Sequence, residues 1–512
     1  MSKDTEIDMK EVELNELDLE KQPMTGDGQA AAGEKNGSVK LKVPEDEVAF
    51  TGLSKEELMR VAGTRGWVRT RWALLILFWL GWVGMLAGAV VIIVQAPRCK
   101  PLPEMNWWNE GPLYQIPDIE AFAENLEGVE AKLDNMNQLK VKGLVLGPLH
   151  TVQADQPITL KLKEVDPKYG KEEHLKVVLD KAQKKGMSVI LDLTPNYHGA
   201  NPWFTADHLD DTVEEVKVAT EHWLKFGVDG IKISDLTIAS RSLDWDKLQA
   251  AVVGNRTDDT KKKLLMGAVQ SVPTPDVALL VNTSGVDLIL SDLLSSNKGG
   301  VERIRAFDDL NGEQRSVGWG LGAAGGHHLA TLANSSALIR LYQLMLFTLP
   351  GTPVFTYGDE IGLQAEQGAE YPKMIWDIDT EPASDAPVDE AAEAMRKERV
   401  AVRKWFKTLS DLRGKERSLL YGDYYSLYSS ASSLAYLRLW DQSERFVTVV
   451  NWGEQPEKLT LKLTPTEGVE LPQNAKVRFS TDEDLAEDST VSLEELTLNP
   501  GQAVLLQFPY TP

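Results

Sequence analysis

The sequence predicts a single-pass type II membrane protein whose ectodomain is an α/β fold, a (β/α)8 TIM barrel, followed by a C-terminal antiparallel β-sandwich. An uncharged run at 72–95 is long enough to cross a bilayer. Strand-like and helix-like segments then alternate over residues 106–412, which is typical of a parallel sheet closed into a barrel. From residue 413 onward, short alternating strands follow one another between turns, which indicates an antiparallel β domain.

The predicted transmembrane helix, WALLILFWLGWVGMLAGAVVIIVQ at 72–95, contains 24 residues and no charge. At about 1.5 Å per residue it reaches about 36 Å, more than the roughly 30 Å of a hydrocarbon core. A buried helix of a soluble protein is the alternative, but such helices keep a polar face and this run has none. The arginines before the run predict a cytoplasmic N-terminus: Arg60, Arg65, Arg69 and Arg71. Because about 70 residues precede the run without a small-residue cleavage site at its end, we expect an uncleaved signal anchor.

Five regions are expected along the chain. They are a disordered acidic cytoplasmic tail with a juxtamembrane helix (1–71), the transmembrane helix (72–95), an extracellular neck (96–105), the barrel (106–412) and the β domain (413–512). The first 50 residues hold 13 acidic residues against 6 lysines and few large apolar residues, which is typical of disorder. Ser54 and Glu57 form a capping-box pattern that opens the juxtamembrane helix.

Charge and cysteine usage restrict the class of protein. The net charge of −23 argues against nucleic acid as a partner, because phosphate binding needs clustered Lys and Arg. Cys99 is the only cysteine in 512 residues, so the ectodomain has no internal disulfide and depends on its core. An odd cysteine outside the membrane indicates an intermolecular bridge or a free thiol. A palmitoylated thiol is a further alternative, which an extracellular position disfavours.

Hydrophobic patterning predicts the individual elements. Barrel strands are expected at 141–146, 188–191, 230–233, 264–266, 286–290 and 353–356, and helices at 170–185, 212–226, 336–349 and 391–412. Strands of the β domain are expected at 424–427, 434–439, 446–450, 459–463 and 503–508.

Several segments resemble the α-amylase family of glycoside hydrolases. Residues 106–116, NWWNEGPLYQI, resemble the opening strand of that family, and residues 126–134 resemble its first helix. The most specific match is GTPVFTYGDEIG at 351–362, which is similar to the last barrel strand and the loop after it. Shorter matches are Gly147-Pro148 and DPKYG at 166–170. Since these motifs occur in family order, the resemblance implies the amylase barrel.

The residues that carry family chemistry are missing. The family uses an Asp nucleophile and a Glu acid held about 5–5.5 Å apart. In GIKIS at 230–234, Lys232 and Ser234 stand where the family has Arg and Asp, and Ala268 stands at the place of the Glu. Asp235 is one residue further, and on a strand that offset turns a side chain to the opposite face. We therefore expect a catalytically inactive homologue with no catalytic residues.

The remaining family positions are scaffold or absent. Asp192 and Asn196 of DLTPN are retained and are expected to be structural, while Tyr197 replaces a family His. The later His-Asp pair has no counterpart near 317–322. After Asn196 the chain reaches the next helix in about ten residues, without the insertion that helps form the cleft and calcium site in the family. No other Asp, Glu or His cluster has ligand spacing, so we predict no metal and no cofactor.

The whole architecture resembles the heavy chains of heteromeric amino-acid transporters, and among them the subgroup that pairs with L-type light subunits. The related heavy chain of the cystine and dibasic amino-acid system keeps the insertion and matches less well. The resemblance implies that Cys99 forms a disulfide with a multi-span light subunit, which carries the transport path. It implies an accessory subunit, or chaperone, that stabilises the light subunit and brings it to the plasma membrane. Integrin β subunits are further partners implied only by the resemblance.

The residues agree that this chain is not itself the path, because a single span without an ionisable residue offers no polar route through lipid. The alternative function is a cell-surface glycosidase or carbohydrate-binding receptor derived from an α-glucosidase. Within the span, a glycine face suits helix packing against a partner: Gly81, Gly84 and Gly88. Three acceptor patterns for N-glycosylation lie in the predicted ectodomain: Asn255, Asn282 and Asn334.

Overall fold

The computed structural model describes residues 54–95, 99–254, 261–294, 299–333, 335–364, 371–379, 389–463, 470–482 and 484–510. It divides the chain into two compact units, Met1–Pro97 and Arg98–Pro512. The tail before residue 54, for which disorder is expected, lies outside the described residues, as do Asn255 and Asn334.

The first unit contains two helices, α1 (Lys55–Ala62) and α2 (Arg65–Gln95). The capping box at the start of α1 is formed: the Glu57 N–H donates to Ser54 Oγ at 3.3 Å, and the Ser54 N–H donates to Glu57 Oε2 at 3.2 Å. Within the described residues, α2 is the one helix long and apolar enough to cross a membrane. It begins seven residues before the expected span, so the three arginines at 65, 69 and 71 lie on its first two turns.

The second unit contains the remaining elements. Its helices are α3 (Ile119–Ala123), α4 (Leu126–Gln138), α5 (Glu172–Lys184), α6 (Leu209–Phe226), α7 (Leu236–Ala239), α8 (Trp245–Val253), α9 (Thr274–Thr283), α10 (Gly300–Asp309), α11 (Leu329–Leu332), α12 (Ser336–Thr348), α13 (Glu390–Lys415) and α14 (Arg417–Leu420). The strands up to residue 356 are β1 (Leu113–Ile116), β2 (Gly143–Leu146), β3 (Thr151–Gln153), β4 (Gln156–Lys161), β5 (Ser188–Asp192), β6 (Gly230–Ile233), β7 (Leu264–Val269), β8 (Leu288–Ser291), β9 (Val317–Trp319) and β10 (Thr352–Thr356). The later strands are β11 (Asp423–Ser429), β12 (Ser433–Leu439), β13 (Arg445–Asn451), β14 (Glu457–Leu459), β15 (Asn474–Ser480), β16 (Thr490–Ser492), β17 (Leu496–Leu498) and β18 (Ala503–Phe508).

Eight parallel strands close into a barrel in the order β1-β10-β9-β8-β7-β6-β5-β2, which confirms the predicted fold class. Short, fully buried strands suit such a barrel because helices cover the outer face and side chains fill the interior. The barrel interior holds one apolar cluster: Trp108, Leu113, Val145, Ile190, Leu264, Met266, Ala268, Leu288, Leu290, Ala323, Ala324 and Val354. At Gly230 a Cβ would lie 2.8 Å from the Leu264 carbonyl oxygen, so glycine permits the close approach of β6 and β7.

The C-terminal domain is antiparallel, as predicted. Six strands pair in the order β11-β12-β13-β18-β15-β16, and β14 pairs with β17 in a separate ribbon. Leucines of the ribbon join the valines and leucines of the large sheet in one core, which gives two layers. The strand expected at 459–463 is wrong, because β14 ends at Leu459 and the next residues leave the ladder. There the Leu461 N–H donates to the Leu493 carbonyl outside either sheet.

The barrel and the β domain are joined at the C-terminal end of α12. Arg413 of α13 donates from Nη1 to the carbonyls of Phe347 (2.7 Å) and Leu349 (2.8 Å). Arg438 of β12 donates to the carbonyl of Thr348 at 2.8 Å. The last carbonyls of a helix lack intrahelical partners and carry partial negative charge, so they suit two buried cations. Burial lowers the pKa of Arg413 to about 9 and that of Arg438 to about 10, and both stay protonated at neutral pH.

Replacing Arg438 with Met should destabilise the ectodomain. Arg438→Met keeps an unbranched side chain that fills part of the same space but leaves the buried carbonyls of Thr348 and Gly422 without this donor, so we expect a loss of about 3 kcal/mol. Chemical denaturation of the purified full chain in detergent measures it. Arg478→Met, which removes a half-exposed ion pair with Glu487, is the control and should cost below about 1 kcal/mol. Equal losses in the two variants would contradict the assignment.

Candidate functional site

Ser234 and Ala268, which the family resemblance assigns to the nucleophile and acid positions, lie on or directly after neighbouring barrel strands. β6 ends at Ile233, and Ser234 follows it with a hydroxyl oxygen 2.8 Å from Thr194 Oγ1. Ala268 lies on β7 and belongs to the apolar cluster of the barrel interior. Neither position carries an ionisable group. The resemblance to the α-amylase family implies that a nucleophile and an acid would stand at these two positions, where this chain has a hydroxyl and a methyl group.

A buried ion pair occupies the neighbouring strand ends. Asp192 and Lys232 face each other in the register of β5 and β6, with Lys232 Nζ 2.9 Å from Asp192 Oδ2 and side chains only 8% and 7% exposed. The other carboxylate oxygen, Oδ1, accepts from the N–H of Thr194 at 2.9 Å and from its hydroxyl. Both oxygens of Asp192 therefore have partners, one in the ion pair with Lys232 and the other in hydrogen bonds from Thr194.

The carboxylate of Asp235 also accepts a hydrogen bond, but it lies in a turn and not on the strand. The strand ends two residues earlier, and Asp235 takes a left-handed conformation (φ 48°, ψ 60°) before α7. Its Oδ1 accepts from the hydroxyl of Thr237 at 2.6 Å. The local turn, and not the pleat of β6, sets the direction of this carboxylate, so the expectation drawn from strand alternation is wrong for this residue.

The short connection after β5 closes over the site. The indole Nε1 of Trp203 donates to the carbonyl of Ser234 at 2.8 Å, and this tryptophan is only 1% exposed. Asn196 is buried and binds Asp155 through both its Oδ1 and its Nδ2 atoms, at 3.0 and 2.9 Å. Asp155 lies in the β3–β4 turn, a hairpin that sequence patterning did not predict because it is short and polar. Asn196 thus fastens this connection as scaffold.

The adjacent histidines differ from each other. His327 is exposed, while His328 is buried with its ring 4.8 Å from that of Tyr357. Burial lowers the pKa of His328 to about 4, so it is neutral at physiological pH. Among the residues that the structure describes, no group of three His, Cys, Asp or Glu side chains could hold a metal ion.

The remaining predicted sites lie outside the barrel interior. Cys99 has an exposed thiol. Asn282 lies in the last turn of α9 with an exposed side chain, whose Nδ2 donates to the Ala278 carbonyl at 2.9 Å. Along α2 a Cβ added to any of the three span glycines would meet nothing within 4 Å, so the face of Gly81, Gly84 and Gly88 is open.

Comparison with known proteins gives the family of this chain from sequence relatives and its fold from solved structures. Residues 38–114 match the family described as "Solute carrier family 3 member 2 N-terminus", and residues 120–211 match "Alpha amylase, catalytic domain". The rat amino acid transporter heavy chain SLC3A2 is 45% identical over 538 residues, covering 100% of both chains. This chain belongs to the SLC3A2 heavy chains. The mouse heavy chain SLC3A1 is 22% identical over 90% of this chain and 86% of its own length, as expected for the poorer match.

Solved structures similar to this SLC3A2 heavy chain are sugar-processing enzymes. Trehalose-6-phosphate hydrolase of Bacillus licheniformis superposes with a TM-score of 0.60 at 14% identity, covering 79% of this chain and 100% of the enzyme. At that identity the likeness concerns the fold alone. The heavy chain therefore has an amylase-like fold, and its function must be argued from its own residues.

Removing only the lysine of the buried ion pair should be costly. Lys232→Met leaves Asp192 charged and without its cation in the barrel, so we expect a loss of about 3–5 kcal/mol in the free energy of unfolding. Adding Asp192→Asn removes the stranded charge while keeping an acceptor for Thr194, and should restore roughly half of that loss. Chemical denaturation of the full chain measures both variants, with Lys161→Met of an exposed ion pair as the control. A double variant no more stable than the single one would contradict this role for the pair.

Proposed function

We propose that this heavy chain is the accessory subunit of a multi-span amino-acid transporter light subunit, which it stabilises and brings to the plasma membrane. The observation that carries the proposal is full-length similarity to amino acid transporter heavy chains at 44–45% identity. The single span supports it, because the described unit Lys55–Gln95 offers one apolar helix and no charge between residues 72 and 95. Transport needs several helices around a polar midplane site, which the light subunit supplies.

The orientation follows from the arginines of the first two turns of α2. Arg65, Arg69 and Arg71 precede the apolar run, so the N-terminus is cytoplasmic and Cys99 is extracellular. The exposed Asn282 is then in the compartment where glycosylation occurs, together with the acceptor patterns at Asn255 and Asn334. No feature of the described residues selects integrin β subunits, and that association is no part of the proposal.

Two elements attach the light subunit in this proposal. The first is the open glycine face of α2, where a partner helix approaches closely because no side chain intervenes. The second is an interchain disulfide through Cys99, whose exposed thiol lies four residues after the end of α2. Four residues span at most about 14 Å, so the thiol stays near the membrane surface where the loops of a multi-span partner lie.

The ectodomain in this proposal performs no glycoside hydrolysis. Glycosyl transfer to the enzyme needs a nucleophile and an acid, and those positions hold Ser234 and Ala268. The nearest retained carboxylate, Asp192, is paired with Lys232 at 2.9 Å. The barrel serves as a stable extracellular body, and a glycosidase or carbohydrate receptor is the less supported alternative.

Cys99→Ser should abolish the covalent complex with a co-expressed L-type light subunit. On a non-reducing gel the wild-type chain should run heavier by about one light subunit, and reductant should remove the difference. The variant should run as the free chain but still co-purify in mild detergent, because the helix contact remains. Asn282→Gln is the matched control, since it changes an exposed ectodomain residue without touching the thiol. A wild-type chain of the same size with and without reductant would contradict the disulfide.

Purified full chain should not hydrolyse a chromogenic maltoside above the uncatalysed rate. The physical reason is the absence of a nucleophile and acid pair at Ser234 and Ala268, so Asp235→Ala should leave the baseline unchanged. An active α-glucosidase assayed in the same buffer is the positive control. Hydrolysis that disappears in Asp235→Ala would favour the glycosidase alternative and contradict the inactive site.

A further inference from the structure

The residue after Cys99 is bound to the β domain at three points. The Lys100 N–H donates to Asp441 Oδ2 at 3.0 Å, and its Nζ lies 3.7 Å from Asp423 Oδ2. The same Nζ lies 4.6 Å from the ring centroid of Trp440, in the position of a cation–π contact. Backbone and side chain of one residue are thus both held on a surface more than 300 residues away in sequence.

That surface, which we call the neck platform (Asp423, Trp440 and Asp441), is itself rigid. Trp440 is 5% exposed, and its N–H donates to Ser418 Oγ at 3.0 Å. Asp441 occupies the β12–β13 turn with φ 43°, and Asp423 begins β11 in register with Leu439. Because Asp441 lies in a turn between paired strands, the platform holds Lys100 at a defined place on the sheet.

The next hydrogen bond of the neck among the described residues is at Glu104, whose carbonyl accepts from Arg315 Nη1 at 3.1 Å. Trp107 then donates from Nε1 to the Lys262 carbonyl at 2.9 Å. Between these points Pro101 and Pro103 lack an N–H and favour extended backbone in the residues before them. While Lys100 is bound to the platform, Cys99 is one residue from its nearest anchor on the β domain. Without those contacts, the nearest hydrogen-bonded anchor is Glu104, five residues away.

We propose that Lys100 is the positioning residue of the interchain disulfide: the neck platform binds it and thereby presents the Cys99 thiol at one place on the ectodomain. This inference rests on the proposed function. The disulfide forms when two thiols join through sulfur and lose two protons and two electrons to a protein-disulfide oxidant, which becomes a dithiol. Lys100 takes no part in the electron transfer and acts only on where the thiol is.

Tether length gives the size of the effect. One residue lets the thiol move about 3.5 Å from its anchor, whereas without that anchor the four residues after α2 and the five residues before the Glu104 contact allow about 14–17 Å. Effective concentration falls with roughly the 3/2 power of tether length, so a tether four to five times longer lowers it about tenfold. Losing the Lys100 contacts should slow formation of the interchain disulfide by about that factor without removing the thiol.

The test uses the single cysteine of the full chain. A nitroxide attached to Cys99 in nanodiscs should give an immobilised electron paramagnetic resonance spectrum in the wild type and a mobile one in the double variant Lys100→Ala/Asp441→Gly, which removes the side-chain contacts of Lys100 and the acceptor of its backbone N–H. Lys100→Ala alone keeps the backbone N–H and should give an intermediate mobility. Lys100→Arg should preserve the immobilised spectrum, because it retains the charge and stacks on Trp440. Asp441→Gly removes the acceptor of the Lys100 N–H, and glycine suits the left-handed turn. This variant changes only the platform and should also increase the mobility of the label. Lys458→Ala, which removes an exposed ion pair with Glu495 elsewhere in the β domain, is the control.

The second readout is the rate at which the disulfide forms with a co-expressed L-type light subunit in a pulse-chase on non-reducing gels. Lys100→Ala/Asp441→Gly should be about tenfold slower than wild type, with Lys100→Arg and Lys458→Ala unchanged. Unchanged label mobility, or increased mobility with an unchanged rate, would overturn the positioning role. Failure of the proposed function looks different: the wild-type chain would form no reductant-sensitive complex, whatever the mobility of the label.

Discussion

Two buried arginines at the carbonyl end of α12 hold together the two domains of the unit Arg98–Pro512. Arg413 comes from the last barrel-side helix and Arg438 from the second strand of the β domain, and both donate to carbonyls at the C-terminal end of the same helix. A helix end that is buried without donors would leave its carbonyls without hydrogen-bond partners, which costs free energy. The two arginines supply those partners and so stabilise the junction between the two domains. Since β12 leads directly to Trp440 and Asp441, the junction also fixes where the neck platform lies relative to the barrel.

Within the barrel, too, buried polar groups are paired. Asp192 is paired with Lys232, Ala268 extends the apolar interior, and the indole of Trp203 donates to the carbonyl of Ser234. Packing and pairing therefore hold these groups in place. In the proposed function the barrel serves as a scaffold and performs no catalysis.

Pattern reasoning succeeded where the determinants are local. The strand Gly230–Ile233 was predicted at its observed bounds because a buried apolar run between turns specifies it. The β3–β4 hairpin was not predicted, since its apolar residues are few and do not share one buried face, and the partner of Asp155 lies in another loop. Substitution of the catalytic positions could be read by alignment of motifs, but the pairing of Lys232 needed the register of two strands. The platform for Lys100 is fully non-local, and no periodicity in the neck indicates it.

The single cysteine has a consequence for assembly. A chain with internal disulfides must sort several thiols during oxidation, whereas here Cys99 has no intramolecular competitor among 512 residues. The products open to it are an interchain bridge or a mixed disulfide with the oxidant, and geometry decides between them. In the proposed assembly, the glycine face of α2 binds the partner and the neck platform holds the thiol, so both favour the interchain bridge.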